Sequence, residues 1–244
     1  MKSVIALTMV ASAAAFAPQS TSTSSTSTQL AETQSDLKAL GPKLNPLVGF
    51  WDPLDLANAG FWGFSQEQTV GWLRQSEIKH GRVAMAAFVG YCVQSNFVFP
   101  WSLTFGGLPH PSTDLSPPEQ WDALPMAAKV QIIAFVGFLE WYSELSDNDN
   151  GPHYTKGGKP GQYPSFKNVP HGKASTLDLY DPFKLSTKRT DAQKEKGLLV
   201  EINNGRLAML GIFGFLCEQT IPGSVPALGG IVKPYAGEVM APFV

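Results

Sequence analysis

Charge is scarce in this chain. Asp, Glu, Lys and Arg make up 16% of its 244 residues, against roughly 25% in an average soluble domain, and the 20 acidic side chains nearly balance the 18 basic ones. No basic excess is available to coat a phosphate backbone, which excludes a dedicated nucleic-acid binder. Cysteine is scarcer still. Cys92 and Cys217 lie far apart inside apolar runs, without a Cys-x-x-Cys or a His/Cys cluster, so neither a disulfide scaffold nor a zinc site is expected. A clean run of about 20 apolar residues, the simplest signature of a membrane span, is also missing, because charged residues interrupt every long apolar stretch. Gly (23) and Pro (19) are abundant instead, and few charges with many Gly and Pro suggest a membrane or pigment environment.

The first thirty residues read as an address. Met1-Lys2, an apolar stretch from Val4 to Val10 and small residues up to Pro18 have the charged start, short apolar core and cleavage site of a signal peptide over residues 1–15, leaving Phe16 at the new N-terminus. Residues 16–31 are mostly Ser and Thr without an acidic side chain, the composition of a transit peptide. Joined with Phe at the junction, the two segments resemble the plastid address of algae whose plastids descend from a red alga. A secreted protein with a Ser/Thr linker is the alternative. Residues 32–244 are the length of one domain.

An internal repeat organises that domain. Glu77-Ile78-Lys79-His80-Gly81-Arg82-Val83-Ala84-Met85 aligns with Glu201-Ile202-Asn203-Asn204-Gly205-Arg206-Leu207-Ala208-Met209 at a constant offset of 124, and the match continues with Gly90 on Gly214 and Tyr91 on Phe215. Each copy follows an aromatic-Asp-Pro-hydrophobic entry, Trp51-Asp52-Pro53-Leu54 before the first and Tyr180-Asp181-Pro182-Phe183 before the second. The unit is a loop plus a helix, used twice. Between the copies, the apolar segment Ala127 to Leu145 lacks the motif. Pro- and Gly-rich connections then predict helices over about Ser65 to Phe97, Pro125 to Ser146 and Glu195 to Thr220.

The connections differ in charge. No Lys or Arg occurs between Arg82 and Lys129, whereas Lys156, Lys159, Lys167, Lys173, Lys184, Lys188, Arg189, Lys194 and Lys196 crowd the second connection. The positive-inside rule produces such an asymmetry. The expected fold is therefore an all-α membrane protein of three transmembrane helices, with the second connection and N-terminus facing the stroma and the first connection and C-terminus the lumen. A soluble three-helix domain is the alternative.

Charges in such helices need partners. Glu77 and Arg82 are five residues apart, about 140° around a helix, and cannot pair with each other. If the first and third helices cross about a local two-fold axis, Glu77 meets Arg206 and Glu201 meets Arg82. Gly81, Gly205, Ala84 and Ala208 are the small residues that let two helices approach closely. A carboxylate held by Arg keeps free oxygen lone pairs, and magnesium prefers oxygen ligands. Glu77 and Glu201 are thus candidate axial ligands for chlorophyll magnesium, and His80 and Asn204, three residues further on, offer an imidazole and an amide oxygen.

Glu-x-x-His-Gly-Arg-x-Ala-Met and Glu-Ile-x-Asn-Gly-Arg-Leu-Ala-Met resemble the first and third helices of the three-helix light-harvesting chlorophyll proteins, over about Trp51 to Gln219. The resemblance implies that the two motif helices cross and that Glu77, His80, Glu201 and Asn204 bind chlorophyll. It also implies that the entries, Trp51, Asp52, Pro53 and Leu54 and then Asp181, Pro182 and Phe183, hold carotenoids. In the middle helix Gly137-Phe138-Leu139-Glu140 resembles the family's second-helix ligand, so Glu140 is expected to bind pigment, as is Gln131, while Glu144 is a ligand or a solvated helix end. In the third helix the family has Gln where this chain has Glu218, followed by Gln219; either is a candidate. No His follows His171, so the chlorophyll that many plant members hold near the C-terminus through His is not expected.

The loop His153 to Gly161, together with the plastid address, looks like the chlorophyll a/c, fucoxanthin-type branch of that family; a plain Gly-rich turn with solvated lysines is the alternative. The implied cofactors are chlorophyll a, chlorophyll c and fucoxanthin or a related carotenoid. The implied partners are a photosystem core, photosystem I being favoured, neighbouring antenna subunits and thylakoid lipids. The expected function is light harvesting without enzymatic turnover. A photoprotective relative is the alternative within the family. A membrane transporter or haem protein with His80 as ligand is the alternative outside it, disfavoured because no acid-base or nucleophile constellation is present.

Overall fold

The computed structural model describes residues 32–145, 152–163, 188–239 and 241. The signal and transit segments, Asp181, Pro182, Phe183 and His171 lie outside the described residues. Among those described, the regular structure is helical throughout: α1 (Gln34–Leu44), α2 (Gln66–Asn96), α3 (Pro117–Asp122), α4 (Met126–Ser143) and α5 (Asp191–Thr220), with short 3-10 turns before α2, after α4 and after α5.

Local chemistry sets the starts of the two long motif helices. Ser65 Oγ accepts from Gln68 N at 3.3 Å while Gln68 Oε1 accepts from Ser65 N at 2.9 Å, and Thr190 and Gln193 exchange the same pair of bonds at 3.4 and 3.1 Å. These reciprocal caps satisfy N–H groups that have no partner within the helix. The Thr190 cap puts the start of α5 at Asp191, four residues before the expected Glu195. The sequence reading passed over α1, which opens on Thr33 and Asp36, and α3, which opens on Pro117-Pro118 behind the Ser116/Glu119 capping box.

α2 and α5 touch at glycine. A Cβ added to Gly81 would stand 3.1 Å from the Cα of Gly205, and one added to Gly205 would stand 2.9 Å from the Cα of Gly81. Any side chain at either position would push the helices apart. Beyond the contact, Phe215 of α5 stacks on Phe88 and Tyr91 of α2 with ring centroids 5.0 and 4.8 Å apart. A Cβ on Gly211 would meet the Phe88 ring at 2.9 Å.

The hydrogen bonds outside the helices gather at two ends. At one end the segment 152–163 threads between α2 and α4: Gly161 N donates to Gln75 Oε1 at 2.6 Å, Arg82 Nη1 to Gly161 O at 2.7 Å, and Tyr163 Oη to Leu139 O at 2.9 Å. At the other end Gln120 Nε2 donates to Gln94 O, Lys129 Nζ to Asp122 O, Trp121 Nε1 to Ala241 O, and Tyr235 N to Gln219 O. The ends of α2 and α5 and the start of α4 therefore lie together, and α4 runs opposite to the other two.

α4 is covered least. Val130, Ile132, Ile133, Phe135, Val136, Phe138 and Trp141 are all exposed, and only Lys129 and Tyr142 are buried in it. At about 1.5 Å per residue, α2 and α5, with 31 and 30 residues, are about 46 and 45 Å long and the 18-residue α4 about 27 Å. Among the described residues no helix is long and apolar enough to cross a membrane. The charged motif residues lower the hydropathy of α2 and α5, and the shorter, apolar α4 carries Lys129 and Glu140.

Candidate functional site

The charged residues of the repeat meet at the glycine contact. Arg206 Nε donates to Glu77 Oε1 at 2.7 Å, and Arg82 Nε donates to Glu201 Oε1 at 2.6 Å. Each guanidinium leaves its own helix and neutralises the carboxylate of the other, five positions earlier in the opposite copy.

The two halves are not equal. Glu77 has a second cation, Arg74 one turn earlier on α2, which bonds its Oε2 and also donates through Nε to Glu32 Oε2 at 2.8 Å. Arg74 is almost fully covered, its side chain 8% exposed. At the same offset in the second copy stands Leu198, so among the described residues Glu201 has Arg82 alone and its Oε2 is open. The sequence reading missed Arg74; the signal available was a Glu three residues after an Arg, an i,i+3 couple on one helix face.

His80 is exposed, and its Nδ1 lies 2.8 Å from the carbonyl of Ser76. A carbonyl only accepts, so Nδ1 carries a proton, and in the neutral ring this leaves the lone pair on Nε2, the tautomer a metal ligand needs. Asn204 is exposed one turn beyond Glu201 and makes no side-chain hydrogen bond among the described residues. These donors suit the magnesium of a chlorophyll: an open imidazole nitrogen, an open amide oxygen and carboxylates already neutralised by Arg.

Gln131 and Glu140 both sit on the exposed surface of α4. Glu140 Oε2 bonds Lys79 of α2. The same ammonium reaches Glu144 Oε1 at 3.2 Å and Ser143 Oγ at 3.4 Å. Glu144, the C-cap of α4, also accepts from Tyr154 Oη at 2.8 Å and contacts His153 Nε2 at 3.2 Å, so it is an anchor for the loop rather than a solvated helix end. Burial and that carboxylate push the Tyr154 phenol far above its ordinary value. Gly71 makes room for this loop, since a Cβ there would collide with the Tyr154 carbonyl.

Glu218 and Gln219, the two candidates at the end of α5, both turn inward. Glu218 is buried, and its two carboxylate oxygens accept from Gly223 N at 2.9 Å and Val225 N at 2.8 Å. Both oxygens hold the loop after α5. Gln219 is equally buried and its Oε1 accepts from Tyr91 Oη at 3.1 Å.

At the first entry, Asp52 accepts from Leu56 N and Ala57 N at 2.9 and 3.0 Å, which closes a turn. Trp51, Pro53 and Leu54 stand exposed around it. Behind the turn a cavity of about 540 Å³ reaches the crossing, lined among others by Leu40, Trp51, Asp52, Leu73, Glu77 and Arg206. The second entry lies outside the described residues.

The family model described as chlorophyll A-B binding protein matches residues 33–220. The chain is similar to a fucoxanthin-chlorophyll a-c binding protein, chloroplastic, of Trieres chinensis, 34% identical over 94% of this chain and 99% of the relative. It is 33% identical to fucoxanthin-chlorophyll a-c binding protein F of Phaeodactylum tricornutum over 91% of this chain and 96% of that one. It is 32% identical to protein A of the same kind from Macrocystis pyrifera, over 82% and 79%.

Proposed function

The chain belongs to the chlorophyll A-B binding protein family, and we propose from this that it is a light-harvesting antenna holding chlorophyll a, chlorophyll c and fucoxanthin or a related carotenoid in the plastid. The observation that carries the reading is the doubled Glu–Arg exchange at the glycine contact, with the open His80 nitrogen beside it. The names of the relatives, which bind fucoxanthin and chlorophylls a and c, support the pigment set.

Bound pigments supply the absorption of light and the passage of excitation. The residues supply position. His80, Asn204, Glu201, Glu140 and Gln131 would hold magnesium from α2, α5 and α4, as would Glu77 through a lone pair left beside Arg206 and Arg74, and the Asp52 turn and the cavity behind it would seat a carotenoid. Ser76 fixes the His80 ring, and the Arg partners let carboxylates serve as ligands without carrying net charge into an apolar layer. The acceptor of the excitation is a photosystem core.

In this reading α2, α4 and α5 span the thylakoid membrane, with the N-terminus and the lysine-rich connection in the stroma and the C-terminus in the lumen. The pairs Glu77–Arg206 and Glu201–Arg82 reconcile low hydropathy with a membrane site, because each removes two charges from the count. Protease added to the stromal side of intact thylakoids is expected to cut near Lys156 to Lys196 and to spare the loop around Pro109; the reverse pattern inverts the topology. The function is tested by reconstituting the full chain with chlorophyll a, chlorophyll c and fucoxanthin. Exciting chlorophyll c or the carotenoid should give chlorophyll a fluorescence, and a stable colourless protein would end the antenna reading.

A further inference from the structure

We propose that Lys79 is the counter-charge and positioning residue of the magnesium site at Glu140, so that one pigment on the middle long helix is held jointly by α4 and α2. The proposal rests on the antenna reading and deepens it.

Glu140 needs a cation that its own helix does not supply. It stands between the exposed Phe138 and Trp141, and no Lys or Arg occurs between Val130 and Ser143. The basic residue of α4 is Lys129, eleven positions away, about 16 Å along the axis, and its ammonium donates to Asp122 O. Lys79 comes instead from α2. Its Nζ bonds Glu140 Oε2, Glu144 Oε1 and Ser143 Oγ, three acceptors for the three hydrogens of an ammonium. Glu140 Oε1 makes no hydrogen bond among the described residues.

That arrangement repeats the chemistry at Glu201, where one oxygen meets a cation from another helix and the other is open. Two features make the Lys79 site separate from the repeat. The position 124 residues later is Asn203, which is neutral and donates to Leu44 O at 3.2 Å. Lys79 also precedes His80 directly, so their side chains leave α2 about 100° apart: one turns to α4 and the other outward. Glu144 has further donors in Tyr154 and His153, which leaves the ammonium's shortest contact to Glu140.

A salt bridge that only ties α2 to α4 would show the same contacts, and variants separate the two roles. The full chain is reconstituted with chlorophyll a, chlorophyll c and fucoxanthin as parent, Lys79→Leu, Lys79→Arg, Glu140→Gln and Lys79→Leu/Glu140→Gln, with His80→Leu alongside. Lys79→Leu should lose one chlorophyll per chain and keep the one that His80→Leu removes, and Lys79→Arg should keep both. Glu140→Gln should retain the pigment with a displaced absorption band. The double variant should regain the chlorophyll lost in Lys79→Leu, because a neutral amide ligates magnesium without a counter-charge; a mere tie predicts no recovery, since the bridge is gone in both. A full pigment complement in Lys79→Leu, or a double variant no better than Lys79→Leu, overturns the proposal. Should Lys79→Leu fail to assemble, recovery of assembly and pigment in the double variant supports the proposal and continued failure overturns it. A parent that binds no chlorophyll fails the antenna reading itself, a result distinct from these.

Discussion

Arg82 Nε donates to Glu201 Oε1 at 2.6 Å and is the one cation on that carboxylate among the described residues, whereas its counterpart Glu77 is bonded by both Arg206 and Arg74. The two halves of the crossing should therefore differ in tolerance. Arg82→Leu strands a carboxylate at a cost of about 3 kcal/mol, while Arg206→Leu leaves Glu77 with Arg74 and should cost clearly less. Adding Glu201→Gln to Arg82→Leu should recover part of the loss. Thermal loss of pigment from the reconstituted variants reads the order, and Arg206→Leu proving the worse of the two would show that Arg74 does not compensate.

The glycine contact has no slack. Gly205→Val places a branched side chain where even a Cβ stands 2.9 Å from the Gly81 backbone, and overpacking of this kind costs about 1–3 kcal/mol or more. Gly90 lies on α2, the helix of Gly81, and a Cβ there meets nothing within 4 Å. Gly205→Val should abolish or sharply lower the yield of pigmented protein and Gly90→Ala should leave it unchanged. Equal yields from both would remove close helix approach from the account.

Among the described residues His80 makes no ion pair, so its loss should be local. His80→Leu is expected to remove about one chlorophyll per chain while the rest assembles. Pigment stoichiometry equal to the parent's would show that the open Nε2 is not a ligand.

Glu218 should behave as a loop anchor. Glu218→Ala leaves the N–H groups of the exposed Gly223 and the half-buried Val225 without their carboxylate acceptor, which should lower the midpoint of thermal unfolding with the pigment count unchanged. Loss of a chlorophyll in this variant would return Glu218 to the ligands.

The clamp between α3 and the C-terminal segment should hold across the physiological pH range. Its hydrogen bond to Asp122 Oδ2, with burial, pushes the Tyr235 phenol up to about 12. A folded value above the ordinary ~10 means that this contribution is complete below about pH 10 and fades as pH rises through the folded value. Backbone and hydroxyl hydrogen bonds from Ser116 hold the Glu119 carboxyl below the usual range. Its contribution is present above the ordinary ~4.3 and is lost as pH falls through the lowered value. Protease cleavage near Lys233 should accordingly stay slow between about pH 5 and 9 in the parent, and Tyr235→Phe should speed it at every pH in that window. A parent whose cleavage rises steeply between pH 5 and 7 would contradict this.

Much of the site was legible because two of its constraints are written as patterns. Glu and Arg five residues apart cannot pair within one helix, and finding the pair again 124 residues later leaves few partners except the opposite copy. The surroundings of Glu218 were not legible: position in a motif says nothing about which way a carboxylate turns, and here the N–H groups of the following loop bond both its oxygens. α1 and α3 were passed over because they are short, and their caps, Thr33 with Asp36 and Ser116 with Glu119, carry no repeat to draw the eye.

Composition, the doubled motif and the spacing of small residues determine on their own that this chain builds two helices able to cross with their charges exchanged, because helix periodicity and the need of a carboxylate for a counter-charge act on neighbours a few residues apart. Tertiary structure alone decides that Arg74 also reaches Glu32, that Lys79 reaches across to Glu140, and that Glu218 turns inward. Each of those contacts joins a side chain to a group on another element or in a loop, or depends on how the neighbouring elements are set, and only the packing of α1, α4 and the connecting segments brings the two within hydrogen-bond reach.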